Sequence, residues 1–182
     1  DANVLLTLMH DKQAYVVDGH HRVSAATEMW KRNGESEKYG QLFAALFPLG
    51  ELKISAFHRR VTDMAGHSLD SLYQEIAAQD FTILPLDRSE NPRPAACGEF
   101  SMYVDHQWTV IKPSRMHPSE IDSGLLQKRI LEPVFNIDET ESDNRLHYLP
   151  GDAGLSHLVE LTDREGGVAF ALHPVPMTQL LS

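Results

Sequence analysis

The chain has 182 residues, of which 42% are hydrophobic and 23% charged, and its formal net charge is −10. This composition is typical of a globular protein with one compact domain or two small ones. The negative charge opposes binding to nucleic acid or to an anionic membrane. No apolar run has the length of a membrane span, and the single cysteine fits a reducing compartment. We therefore expect a cytoplasmic protein.

The first fifty residues are predicted to form two strands and two helices. The apolar run Val4–Met9 and the segment Gln13–Val17 both have strand length. A helix should start near His21 and end at Asn33. Its buried stripe is predicted to consist of Val23, Ala26, Met29 and Trp30. A second helix is expected over Lys38–Phe47.

Strands and helices are intermixed in the rest of the chain. Alternating apolar residues on both sides of Asp105-His106 predict a β-hairpin. Further strands are predicted over Leu52–Phe57, Phe81–Leu86, Leu146–Leu149 and Val168–Leu172. Helices are predicted from Leu69 with Ser68 as N-cap, over Ile121–Leu131 with Asp122 or Ser123 as cap, and around Leu155–Val159.

This pattern predicts an α+β fold, with a mixed sheet and flanking helices. The loop Asp87–Gly98 is rich in proline, glycine and charge, which makes it the best candidate for a domain seam. We therefore divide the chain into residues 1–90 and 91–182 and expect the two parts to pack as one unit.

The run Asp18-Gly19-His20-His21-Arg22 is the most informative motif, because it joins a predicted strand to a predicted helix. Gly19 permits a tight turn with positive φ. The first N–H groups of a helix lack partners within it and favour an anion, and Arg22 offers a fork of donors suited to phosphate. His20 and His21 are further donors. The motif therefore predicts a phosphate-binding turn.

Asp18 does not fit simple anion binding, because a carboxylate repels phosphate. It makes sense as a ligand of Mg²⁺ or as a base that accepts a hydroxyl proton. The alternative is that Asp18 is only the N-cap of the helix and that both histidines are surface residues.

A second cationic group, His58-Arg59-Arg60, follows a predicted strand. It is interpreted either as a second set of phosphate or carboxylate contacts, with His58 and Arg59 as the phosphate-binding residues, or as a solvated strand end. The first interpretation gains weight if its strand is a neighbour of the strand before Asp18.

The segment YVVDGHHRVSAATEMW resembles the signature of an uncharacterised prokaryotic family, domain of unknown function 1015. The resemblance continues in LKISAFHRRV, LLQKRILEPVFNI and YLPGDAGLSHLVELTDREGGVAFALHPVPM. Val17 replaces the family's usual small residue, and Ala56-Phe57 replace its Pro-Thr before the second cluster. Because family members carry a sizeable region before the first motif and a lysine-rich ending, we expect the chain to be a fragment.

The pattern DGHHR-x-x-A is also similar to the phosphate motif of the ParB/sulfiredoxin superfamily, whose free-serine kinases carry D-G-H-H-R. This likeness implies a ParB-like element around the motif. It implies phosphate contacts from Gly19, His20, His21 and Arg22, and catalytic roles for Asp18 and the two histidines. Mg²⁺ and a nucleotide are the implied cofactors.

A small hydroxylated metabolite, with serine as the example, is the implied phosphoryl acceptor. Two alternatives stay open. One is a nucleotide-binding switch or binding module without catalysis, and the other is a phosphate-ester hydrolase.

Overall fold

The structure is a computed structural model that describes residues 2–87, 91–117, 120–138 and 143–180. The chain divides into two compact units, Asp1–Leu52 and Lys53–Ser182. Part of the predicted loop Asp87–Gly98, at 88–90, lies outside the described residues. None of the described helices combines the length and the apolar composition needed to cross a membrane.

The second unit is built on one six-stranded sheet with the order β2-β4-β3-β6-β1-β5. The strands are β1 (Phe57–Val61), β2 (Phe81–Pro85), β3 (Phe100–Val104), β4 (Gln107–Pro113), β5 (Leu146–Pro150) and β6 (Val168–Leu172). All five strand pairs are antiparallel, so the predicted mixed sheet differs from the observed one. The predicted α+β class is confirmed. The strands before and after residue 90 share this sheet.

Helices cover both faces of the sheet. They are α3 (Leu69–Ala78), α4 (Asp122–Leu126), a π-helical turn (Gln127–Leu131), α5 (Glu132–Phe135), α6 (Gly154–Glu165) and α7 (Met177–Leu180). Side chains alternate between the faces of a strand, so Met102 of β3 joins a large apolar cluster with α3, α4 and α5. Its neighbour Tyr103 joins a smaller cluster with α6. The central strands β3 and β6 are therefore buried on both faces.

Most predictions for this unit are confirmed. Ser68 caps α3 by accepting the N–H of Ser71, and the hairpin turns at Asp105-His106. The prediction for the helix near residue 121 is wrong at both ends. Ile121 occupies its N-cap position without a side-chain hydrogen bond, and the helical path continues through Pro133 to Phe135. Proline is tolerated there because it lies in the first turn of α5.

The first unit contains α1 (Ala2–Met9) and α2 (His20–Arg32), with single 3₁₀ turns at Glu37–Tyr39 and Leu49–Glu51. The helix predicted near His21 is confirmed. Its stripe is only half buried, and Met29 is exposed. No side chain that the structure describes in this unit is fully buried.

Three predictions for the amino-terminal part are wrong. Val4–Met9 is helical rather than extended, because a short apolar run does not distinguish a strand from a helix. Gln13–Val17 is irregular and pairs with no described strand, and Lys38–Phe47 forms only part of one 3₁₀ turn. The strand predicted from Leu52 begins at Phe57, although the predicted alternation of exposure is present from Leu52 onward.

Candidate functional site

The turn before α2 is set by Gly19, which occupies the N-cap position with φ 82° and ψ 24°. This left-handed conformation is inexpensive only for glycine. A Cβ at this position would lie 3.0 Å from Nη2 of Arg22, so the missing side chain leaves room for the guanidinium. Gly19, and not Asp18, is therefore the N-cap of the helix.

The amino end of α2 presents a set of N–H donors. The first N–H with a partner inside the helix belongs to Val23, which donates to the carbonyl of Gly19 over 3.0 Å. Among the described residues, no side chain caps this end. The N–H groups of His20, His21 and Arg22 precede that first bond, and the helix dipole adds positive potential at the same place. This end of α2 is therefore suited to an anion.

Asp18 and Arg22 form an ion pair across the turn. Nη2 of Arg22 donates to Oδ2 of Asp18 over 3.1 Å, and both side chains are mostly exposed. The pair holds the guanidinium over the Gly19 turn. One carboxylate interaction leaves most of the five donors of an arginine for another acceptor. The arrangement therefore places a guanidinium and a carboxylate side by side at the start of α2.

A cavity of about 510 Å³ lies along one face of α2 within the first unit. Val23, Ala26, Thr27 and Trp30 line it from the helix, and the segment after Asn33 closes the other side. Trp30 packs against Gly40, where a Cβ would lie 3.3 Å from the indole. Two carboxylates, Glu35 and Glu37, also line this cavity.

The two histidines of the motif differ in their position relative to this cavity. Residues three apart lie on the same helix face, so His20 shares the face of Val23. His21 shares its face with Ser24 and Ala25, which do not line the cavity. Both imidazoles are exposed.

His58 of the second cluster is part of the packed sheet. Its side chain is 4% exposed, and its Nδ1 accepts the backbone N–H of Leu172 over 3.2 Å. Burial lowers the pKa of His58 below the usual value, and the nearby charges of Arg93 and Arg59 lower it further. His58 is therefore a neutral imidazole that accepts a hydrogen bond.

Arg59 and Arg60 lie on opposite faces of β1, as neighbours in a strand must. Arg60 is buried and donates to Oε2 of Glu165 and to the carbonyl of Gly166, which fixes β1 to the end of α6. Arg59 lies 4.3 Å from the ring centre of Tyr148 and donates to the carbonyl of Phe57.

The two predicted clusters belong to different units, since the first lies before Leu52 and the second after Lys53. Phosphate binding by His58 and Arg59 stays a prediction. The cavity beside α2 was not predicted from the sequence. The segment that closes it was predicted to be a helix over Lys38–Phe47, and that helix is not observed. The only sequence feature that pointed to this cavity was Trp30, which lies on a helix with a short apolar stripe.

The fold and the site together define an α+β protein with a glycine turn, an uncapped helix end and a paired Asp18–Arg22 at one exposed site. Residues 1–139 match the family model described as "Protein of unknown function (DUF1015)". The chain belongs to this family. No curated protein and no solved structure matches it. The likeness to the ParB/sulfiredoxin superfamily stays a prediction.

Proposed function

We propose that the protein binds the phosphates of a nucleotide at the amino end of α2 and transfers a phosphoryl group to a small hydroxylated metabolite. The observation that carries this proposal is the left-handed Gly19 turn, over which Arg22 is folded. Backbone N–H groups, the helix dipole and a guanidinium converge there, and each stabilises phosphate oxygens. The same groups stabilise the charge of a phosphoryl group in transfer.

The second part of the proposal is the role of the Asp18 carboxylate. Mg²⁺ is held in many phosphate sites by one or two carboxylates together with the phosphate oxygens of the substrate. Among the described residues, no group of three ligands could hold a metal by itself. A single exposed carboxylate fits an ion that arrives with the nucleotide, and such an ion neutralises phosphate charge. We also assign to Asp18 the role of a base that accepts the proton of an acceptor hydroxyl.

The cavity beside α2 is the proposed acceptor site. It begins at Val23, one residue after Arg22, and is lined by Glu35 and Glu37. Carboxylates accept hydrogen bonds from hydroxyl and ammonium groups, so a small amino acid such as serine fits this lining. His20, on the cavity face of the helix, is the histidine that we assign to the reacting groups, and His21 is the outer phosphate donor.

A transfer assay of Asp18→Asn tests this function. We expect the protein to form a phosphorylated metabolite from ATP with Mg²⁺, in a screen of hydroxylated amino acids that includes serine. Asp18→Asn should lose transfer by about 10²-fold or more, as for loss of a general base. Asp11→Asn, which changes another exposed carboxylate before α2, should retain activity. Full transfer activity in Asp18→Asn would contradict the role given to Asp18.

A nucleotide-binding switch without catalysis is the second candidate. The observation that favours it is the exposed apolar surface of the first unit, which includes Val17 at 60% and Phe43 at 100% exposure. Exposed large apolar side chains favour association with another protein surface when they form one patch. This candidate requires nucleotide binding without product and a nucleotide-dependent change of oligomeric state. Sedimentation with and without ATP, beside the transfer assay, separates the two.

A further inference from the structure

A second cavity, of about 900 Å³, lies beside the β3–β4 hairpin in the second unit. Its walls include Pro85, Pro92, Trp108 and Tyr73, and polar groups from His106 and Thr109. Small-molecule sites occupy roughly 300–1,000 Å³ and combine apolar walls with a few polar groups. The cavity has these properties, and the proposed phosphate site makes no use of it.

The hairpin turn holds His106 in an unusual backbone conformation. Asp105 has φ 48° and His106 has φ 60°, which are the values of a two-residue turn that favours Asn-Gly. A histidine in the second position is less favourable than glycine there. Backbone strain of this kind often accompanies a functional side chain. The turn sets the imidazole at the wall of the cavity.

Asp163 of α6 orients this imidazole. Nδ1 of His106 lies 2.9 Å from Oδ1 of Asp163, and the same oxygen accepts the hydroxyl of Tyr103 over 2.8 Å. An ionised carboxylate can only accept, so Nδ1 of His106 carries the proton. In the neutral imidazole, Nε2 is then an acceptor. Trp108 completes the arrangement, with its ring centre 4.9 Å from that of Tyr103.

We propose that this cavity binds an uncharged planar nitrogen heterocycle, which stacks on Trp108 and donates an N–H to Nε2 of His106. Planar rings stack favourably on the face of tryptophan. Among the described residues that line the cavity, none is lysine or arginine, whereas Asp87 contributes a carboxylate. The described lining therefore supplies no cationic side chain to an anionic ligand. The proposal concerns the second unit alone and does not depend on phosphate binding in the first.

Tryptophan fluorescence tests the proposal because the chain has two tryptophans, one at each cavity. In a Trp30→Phe variant, the emission comes from Trp108 alone. The probes are adenosine, cytidine and nicotinamide, which are planar, uncharged and carry an N–H donor. We expect saturable quenching by at least one of them. His106→Gly should weaken its affinity about threefold to tenfold, the equivalent of one neutral hydrogen bond.

His106→Gly is the suitable variant, because glycine favours the left-handed turn and keeps the hairpin. His157→Ala, which removes an exposed imidazole from α6, should leave the quenching unchanged. Arg22→Ala should also leave it unchanged, which separates this cavity from the phosphate site. The proposal is overturned if no probe quenches saturably at millimolar concentration, if His106→Gly binds as well as its parent, or if Arg22→Ala abolishes the response.

Discussion

At the scale of one residue, Gly19 determines both the backbone conformation of the turn and the space available to Arg22. Its positive φ opens the turn, and its missing side chain leaves the space that Arg22 occupies. Gly34, just beyond the other end of α2, also has a positive φ, of 65°, but nothing lies within 4 Å of its Cβ position. The two glycines therefore share a left-handed backbone conformation and differ in their surroundings.

We expect Gly19→Ala and Gly34→Ala to destabilise the protein by a similar amount, about 1–2 kcal/mol for alanine in a left-handed conformation. Only Gly19→Ala should also weaken nucleotide binding, because the new methyl group displaces the guanidinium of Arg22. Urea unfolding and calorimetric titration measure the two effects. Equal nucleotide affinity in the two variants would show that Arg22 does not need the space over residue 19.

His58, which was predicted to contact phosphate, has a structural role in the sheet. Its Nδ1 accepts the N–H of Leu172, so the imidazole is neutral in the folded state, where its pKa lies below the usual 6.5. The unfolded chain binds a proton near pH 6.5, whereas the folded chain does so only at lower pH. The stabilisation is therefore complete above pH 6.5 and falls as the pH approaches the folded pKa.

We expect the free energy of unfolding to decrease from pH 7.5 to pH 5.5, and His58→Leu to remove this part of the pH dependence. The variant should also cost about 1–3 kcal/mol at pH 7.5, because the N–H of Leu172 is left unpaired. Urea unfolding at both pH values measures this. His157→Leu, at an exposed position on α6, is the control and should retain the pH dependence of the parent. A parental pH dependence in His58→Leu would mean that another group is responsible.

At the scale of elements, the junction of β1, α6 and β6 depends on two adjacent glycines. Gly166 ends α6 with φ 78°, and Gly167 follows with φ 91°. A Cβ at Gly167 would lie 2.0 Å from the carbonyl oxygen of Val61, whereas nothing lies within 4 Å at Gly166. Since Val61 pairs with Val168 in the sheet, this close approach lies at the end of the β1–β6 pairing and leaves no room there for a side chain at residue 167.

We expect Gly166→Ala to cost about 1–3 kcal/mol through backbone strain alone. Gly167→Ala should cost a further 1–3 kcal/mol, roughly the penalty of overpacking, because β1 must move away from β6. Thermal unfolding of both variants provides the comparison. A Gly167→Ala protein as stable as Gly166→Ala would contradict the close contact between these strands.

At the scale of the whole molecule, the secondary structure of the second unit was predicted more accurately than that of the first. In the second unit, strand alternation and turn residues agree with burial, so the hairpin and the strands near Phe81, Leu146 and Val168 were placed correctly. The predicted mixture of parallel and antiparallel strands was wrong, because local periodicity does not determine which strands pair. The sequence also did not reveal that His58 is a backbone acceptor, since its partner Leu172 is 114 residues away.

In the first unit, local patterns were poorer guides. The apolar residues of Val4–Met9 and Lys38–Phe47 suggested buried elements, yet most of the described large side chains of these segments are exposed. Apolar periodicity predicts a helix or strand only because the apolar residues are buried. Where they are exposed, only the backbone preferences of individual residues remain informative. The glycine turn before α2 is such a signal, since positive φ depends on the residue itself. The start of α2 and the Asp18–Arg22 ion pair both lie at this turn.

Calorimetric titration with ATP, ADP and CTP, with and without Mg²⁺, tests the phosphate site most directly when the parent is compared with Arg22→Ala and Arg32→Ala. Both arginines lie on α2 and pair with a carboxylate four residues earlier, but only Arg22 lies at the Gly19 turn. We predict Mg²⁺-dependent nucleotide binding that Arg22→Ala weakens by about 1–3 kcal/mol and Arg32→Ala leaves unchanged. No nucleotide binding by the parent, or equal losses in both variants, would contradict a phosphate site at the amino end of α2.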